Sequence, residues 1–243
     1  MKDWFKNWFN SHHYFLLYQN RNEEEAEQFF ELIKKNVPLQ TDWKILDFCC
    51  GYGRLSKVIA REGYNVTGVD LSEKFIQRAI EESRKENLQI KFIKCDARSF
   101  FESEKYNLGI SFFTSFGYFS DDENELTFQN LVRSILKNGW IAFDYFNAEY
   151  VLKNLVKNED FEIDGYKINI SRKIEGNRIN KIIRIISEDK TEEYVELVRI
   201  YSVEDLKDLF EKNGLVIKKI FGDYSGSDLN ENSPRVIIFA QKK

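Results

Sequence analysis

Between residues 44 and 146 the chain alternates short apolar runs with amphipathic stretches of helical period, and this repeat limits the fold more than any other feature. "KILDF" reads as a first strand, "RLSKVIARE" as a helix closed by Gly63, and "YNVTGVD" as a second strand ending on Asp70. Ser72 can cap the next helix, whose Phe75, Ala79 and Ile80 share one face. "IKFIKCD" gives a third strand ending on Asp96, and "NLGISFF" a fourth ending near Phe113. Asp121 or Asp122 then caps a helix carrying Phe128, Leu131, Val132 and Ile135 inward, stopped by "NG", before the fifth strand "WIAFDYF". Strand-then-helix repetition of this kind predicts an α/β fold around a parallel sheet.

The rhythm breaks over residues 151–201, where "YKINIS", "RINKIIRIIS" and "EYVELVRIY" alternate strictly around the turns "EGN" and "EDK". That pattern predicts an inserted antiparallel sheet of three or four strands. A capping box at "SVED" opens another helix, and "LVIKKIFG" and "RVIIFAQ" close the chain as paired strands, so 43–150 and 202–243 are expected to form one α/β domain. Residues 1–42 read as a helical cap, with Trp4, Phe5, Trp8, Phe9, Tyr14 and Phe15 ahead of the first strand. Such a segment either packs on the domain or covers a ligand.

With 42% hydrophobic and 31% charged residues the composition is globular, and no apolar run approaches membrane-spanning length. The N-terminus has no signal-peptide core, and three cysteines, two of them adjacent, make a poor disulfide framework; both observations predict a cytoplasmic protein. A net charge of −4 gives no reason to expect nucleic acid or a membrane as partner. Two histidines and no C-x-x-C spacing argue against a metal site.

The chemistry concentrates where strands end. In a doubly wound sheet the ligand lies at the carboxyl ends of the strands, and the first strand-to-helix turn approaches it most closely. Gly51 and Gly53 in "CCGYG" let that backbone turn sharply beside a ligand at a helix N-terminus. Such a turn serves a dinucleotide or S-adenosylmethionine. A carboxylate at Asp47 would repel a pyrophosphate and suit an ammonium group, and Ser56 stands where the dinucleotide pattern wants a third glycine. Asp70 is placed to accept from a ribose diol, and Asp96, beside the backbone of Ala97, from an adenine amino group.

At these residues the chain resembles the class I S-adenosylmethionine-dependent methyltransferases over nearly its whole length. "ILDFCCGYGRLS" is similar to their first motif, with Asp47, Cys49, Gly51 and Gly53 in matching positions; Cys49 replaces the usual glycine, which suggests a need for a small residue rather than a positive φ. "VTGVDLS" and "FIKCDARSF" resemble the second and third motifs, and so imply Asp70 with Leu71, and Asp96 with Ala97, on the donor. The resemblance implies a seven-stranded sheet in the order 3-2-1-4-5-7-6. Within the family, "YFLLYQNRNEEEA" and "TSFGYF" resemble a bacterial small-molecule group that includes amino-sugar N-methyltransferases. That narrower likeness implies Arg21 on the donor carboxylate and a tyrosine, Tyr18 or Tyr118, near the sulfonium beside Phe113.

The expected activity is transfer of a methyl group from S-adenosylmethionine, leaving S-adenosylhomocysteine, to nitrogen or oxygen of a small acceptor by in-line displacement. Where a proton must be removed, Tyr118 and His13 are the candidates, although a tyrosine there equally makes a substrate wall and an exposed helix face is the favoured place for His13. Alternatives are a protein or nucleic-acid methyltransferase, disfavoured by the lack of a D/N-P-P-Y/F segment, an NAD-dependent oxidoreductase, and a non-catalytic donor-binding protein. The cysteine pair is expected to be structural, with Cys50 packed behind the turn, and the oligomeric state is monomer or homodimer.

Overall fold

The computed structural model describes residues 4–19 and 23–243. Three helices precede the first strand: α1 (Trp4–Phe9), α2 (His12–Leu17) and α3 (Glu24–Asn36). The alternating part follows as β1 (Lys44–Phe48), α4 (Arg54–Arg61), β2 (Asn65–Asp70), α5 (Glu73–Lys85), β3 (Lys91–Lys94), β4 (Tyr106–Ser111), α6 (Asp121–Ser134) and β5 (Ile135–Phe146). A short α7 (Ala148–Lys153) leads to β6 (Asn158–Ile163), β7 (Tyr166–Glu175), β8 (Arg178–Ile186) and β9 (Thr191–Arg199). The chain finishes with α8 (Val203–Lys212), β10 (Leu215–Phe221) and β11 (Arg235–Lys242).

The main sheet has seven strands in the order β10-β11-β5-β4-β1-β2-β3, with β11 antiparallel to both its neighbours and the pairs from β5 to β3 parallel. Counted within this sheet, that is 3-2-1-4-5-7-6. Consecutive β1 residues serve opposite faces, as the strand period of two requires: Ile45 joins Phe29, Ile33, Leu55 and Ile59, whereas Leu46 joins Phe128, Leu131, Leu206 and Phe210. Helix α3 therefore packs on the sheet beside α4, while α6 and α8 cover the other face. Burial on both faces explains why the central strands read as unbroken apolar runs.

The inserted sheet has four antiparallel strands in the order β6-β7-β8-β9. Its Ile168, Ile170, Ile183 and Ile185 close around Trp8 of α1, with Tyr14 and Leu17 of α2 packed alongside. The N-terminal segment thus divides: α3 packs on the α/β domain, while α1 and α2 pack on the inserted sheet.

Local details depart from the sequence reading. Strand β3 stops two residues before Asp96, and β4 stops before Phe113. Ser120, not an aspartate, caps α6, in a reciprocal box with Glu123. Helix α6 also ends earlier than "NG", because the amides of Glu104 and Lys105 bind the carbonyls of Arg133 and Ser134 and divert the chain into β5 at Ile135. Asn138 and Gly139 then lie in a bulge, since Tyr106 pairs with Ile135 but Leu108 already pairs with Trp140.

Candidate active site

The turn after β1 holds three left-handed residues in five: Cys49 at φ 62°, Gly51 at 56° and Gly53 at 77°. The expectation that Cys49 needs only to be small is corrected, since a non-glycine residue in this region costs about 1–2 kcal/mol. Neighbouring bonds impose the conformation: Cys50 N donates to Val69 O at 2.9 Å, and Gly51 N to Asp70 Oδ2 at 2.9 Å. A Cβ on Gly51 would meet nothing within 4 Å, so its bare face is open to the adjoining cleft. On Gly53 a Cβ would come within 2.9 Å of the Phe92 ring, so that glycine serves helix packing and lies behind the cleft wall. Cys50 lines the cleft and also fills the space beside Gly68; its thiol and that of Cys49 are pushed well up by burial and the nearby aspartates.

The three aspartates converge on this turn with different electrostatics. Asp47 is 1% exposed and accepts from Ser56 Oγ at 2.6 Å; burial pushes its pKa up to about 6, with the Asp70 charge adding to the rise. Asp70, also raised to about 6 by burial, accepts from Gly51 N and, at 2.8 Å, from Ser72 N. Asp96 differs. Burial pushes it up too, but Arg98 outweighs that, with its Nη2 2.7 Å from Oδ2, and holds the carboxyl below its usual range. Arg98 in turn reaches Glu123 at 2.7 Å and lies 4.5 Å from the Phe119 ring centroid.

Asp47, Cys49, Gly51, Asp70, Leu71, Asp96 and Ala97 form the floor of one cleft, which encloses about 1030 Å³ including its open mouth. Phe112, Phe113, Ser115 and Tyr118 from the segment after β4 make one wall. Phe5, Phe9, Tyr14 and Tyr18 of the N-terminal arm make the roof. The aromatic rings interlock: Tyr118 lies 5.6 Å from Trp4, edge to face, and 5.5 Å from Phe9, tilted, and Tyr14 lies 5.0 Å from Phe75, also tilted. The arm is tied to the inserted sheet through Glu196, which accepts from Trp8 Nε1 at 2.7 Å and from Tyr18 Oη at 2.5 Å, with Lys181 Nζ 3.0 Å away.

Gly53, behind the wall, and His13 do not join this group. His13 is neither exposed nor in the cleft; it is 1% exposed against the inserted sheet, with Nδ1 3.2 Å from Tyr194 Oη and 3.6 Å from Glu192. Its pKa is lowered by burial and by His12. Arg21 lies outside the described residues. Conversely, the sequence reading missed Arg98 and Asp144. Asp144, fully buried, accepts from Phe113 N at 2.7 Å, Tyr224 Oη at 2.9 Å and Arg235 Nε at 2.7 Å. An acid inside the apolar run "WIAFDYF", near the same carboxyl edge as the other three, was the available signal.

Comparison with known proteins agrees with this geometry. Residues 45–139 match the methyltransferase domain family. A putative methyltransferase of Geobacillus sp. (strain WCH70) is 25% identical over 227 residues, covering 89% of this chain and 91% of its own. An S-adenosylmethionine-dependent methyltransferase from Clostridium acetobutylicum ATCC 824 superposes with a TM-score of 0.81 at 21% identity, over 95% of this chain and 96% of that one. An amino pentose methyltransferase from Micromonospora echinaspora, solved with S-adenosylmethionine bound, gives a TM-score of 0.69 at 14% identity, over 96% and 98% of the two chains.

Proposed function

Because the chain is an S-adenosylmethionine-dependent methyltransferase, we propose that it methylates a nitrogen or oxygen atom of a small molecule. The observation that carries this reading is the roof. Helices α1 and α2, held to the inserted sheet by Trp8, Tyr18 and Glu196, cover the carboxyl ends of the strands and leave a cleft walled by aromatic rings. A groove lined by Trp4, Ser120, Asn177 and Arg178 adjoins it through the shared residues Phe5, Tyr118 and Phe119, a path suited to a small acceptor. The amino pentose methyltransferase of similar fold supports an amino-sugar-like amine as one class to try.

The donor supplies a methyl carbon already activated by positive sulfur. In this reading Asp47 faces its ammonium group, Asp70 accepts from the ribose hydroxyls, and Asp96 with the Ala97 backbone meets the adenine edge. Cys49, Gly51 and Leu71 bring main chain to the donor, Arg21 meets its carboxylate, and Phe113 with Tyr18 or Tyr118 presents ring faces toward the sulfonium, worth about 0.5–2 kcal/mol. The fit rests on two buried carboxylates with raised pKa values, which a cationic, hydroxyl-bearing ligand would return toward their ordinary range. The chain's main contribution is alignment and exclusion of water, which supplies up to roughly 7–11 kcal/mol in favourable cases. His13, neutral and outside the cleft, takes no proton in this scheme, and Tyr118 acts as a wall.

The test has two arms. Calorimetry with S-adenosylmethionine, S-adenosylhomocysteine and NADH should show binding of the first two alone; preference for NADH overturns the methyltransferase reading. Radiolabelled methyl transfer is then compared across small amines and phenols, bulk RNA and a protein extract. Label entering RNA or protein instead of small molecules overturns the acceptor class.

A further inference from the structure

The wall between β4 and α6 is built on an unusual corner: Phe113 and Thr114, neither a glycine, stand side by side in the left-handed region at φ 58° and 59°. Side chains from distant parts of the chain converge to hold it. Asp144 takes the Phe113 amide on Oδ2, while its own carbonyl takes the Thr114 amide at 3.2 Å. Arg235 binds Asp144 Oδ1 through Nε at 2.7 Å and Thr114 Oγ1 through Nη2 at 3.0 Å. Tyr224, from the loop before β11, adds a second donor to Oδ2. The Phe113 ring lies 5.4 Å from the Arg235 guanidinium and 5.3 Å from that of Arg54.

We infer that Asp144 is a positioning residue: its carboxylate, oriented by Arg235 and Tyr224, holds the Phe113–Thr114 corner in its left-handed form and so places the wall that the donor and acceptor meet. This inference rests on methyl transfer taking place in that cleft. Asp144 does not line the cleft, so its effect passes through Phe113 and the chain onward to Ser115 and Tyr118, which do. A buried carboxylate is an expensive way to stabilise a strand pair, because its desolvation must be offset by charge and hydrogen bonds. Its use here follows from the task. One oxygen accepts both the corner amide and the Tyr224 hydroxyl while the other anchors the cation that grips Thr114. An apolar residue at this position would keep the main-chain acceptor for Thr114 but leave the Phe113 amide and the Arg235 guanidinium without their partner. When only a fraction of molecules carries the competent corner, ligand affinity falls by that fraction.

The test uses the full chain with S-adenosylhomocysteine as probe. Asp144→Asn and Tyr224→Phe are each assayed by calorimetry at a temperature where circular dichroism shows them fully folded, and amide hydrogen exchange is followed at Phe113 and Thr114. Affinity is expected to fall at least tenfold in Asp144→Asn and about threefold in Tyr224→Phe. Exchange at the two corner amides should rise while Leu108–Ser111 in β4 stay protected. Wild-type affinity with unchanged corner exchange in a folded variant overturns the inference, as does faster exchange confined to β11. If Asp144→Asn does not fold, Tyr224→Phe, which removes no charge, decides by the same two readouts. Failure of the wild-type protein to bind the probe would instead refute the methyltransferase reading beneath it.

Discussion

Replacing Asp47 by asparagine should make the ligand-free protein more stable and the donor site worse, a combination that a structural role does not produce. Burial raises the Asp47 pKa from 3.8 to about 6, so the folded chain binds this proton more tightly than the unfolded chain. The stability from that tighter binding is fully present below the unfolded value and is lost as pH rises through about 6. At pH 7.5 the ionised group therefore costs about 3 kcal/mol, at 1.36 kcal/mol per pKa unit. Relaxation and water entry reduce this, so we expect the variant to gain about 1.5 kcal/mol. For a chain of this size that is a rise in Tm of roughly 3–6 °C. Asparagine keeps an acceptor for Ser56 Oγ, but its amide N–H groups enter a buried site and trim the gain. Thermal melts at pH 7.5 and pH 3.5 check the reasoning, because the gap between wild type and variant should close below the unfolded value. Donor affinity at pH 7.5 should fall about 10- to 150-fold, the loss of a charged hydrogen bond of roughly 1.5–3 kcal/mol. A variant less stable than wild type at pH 7.5, or one binding S-adenosylmethionine within twofold of it, would refute this account.

Asp70→Ala removes the acceptor for Gly51 N and Ser72 N together with the proposed ribose partner, and donor affinity by calorimetry should weaken at least about tenfold; an unchanged affinity would sink that role. Since burial raises Asp47 and Asp70 to about 6 and the proposed donor contacts use their ionised forms, wild-type affinity should be flat above about pH 7 and fall as pH drops through 6. The double change of Cys49 and Cys50 to alanine should leave donor affinity within about threefold, because neither thiol, raised by burial, is available as a thiolate. Cys49→Gly should raise stability by about 0.5–1 kcal/mol in a urea titration, relieving the left-handed Cβ against the added freedom of the unfolded chain.

What was legible in the sequence was whatever local pattern determines. Central parallel strands buried on both faces must be continuously apolar, so β1, β2, β4 and β5 announced themselves, and the acids ending β1 and β2 marked the carboxyl edge of the sheet. What escaped is what distant parts of the chain impose. Nothing about a cysteine in "FCCGYG" betrays a φ of 62°; bonds from the next two residues to Val69 and Asp70 of the neighbouring strand create it. His13 looked like a surface residue because its partners, Tyr194 and Glu192, lie some 180 positions away in the insertion.

The same distinction governs the site's chemistry. Asp47, Asp70 and Asp96 looked equivalent by position, but the fold gives Asp96 an arginine two residues on, which keeps it ionised whether or not a ligand is present. Asp47 and Asp70 have no ion pair among the described residues and share a desolvated turn at one end of the cleft, and Arg54 on the same cleft offsets the charge at Asp47 only in part. A ligand bringing a positive charge and hydroxyl donors to that end would relieve a cost the folded chain already carries, whereas an anionic pyrophosphate would add to it. In the proposed reading electrostatics would orient the donor as well as select it, with the ammonium end over Asp47 and the adenine over the carboxylate already satisfied by Arg98.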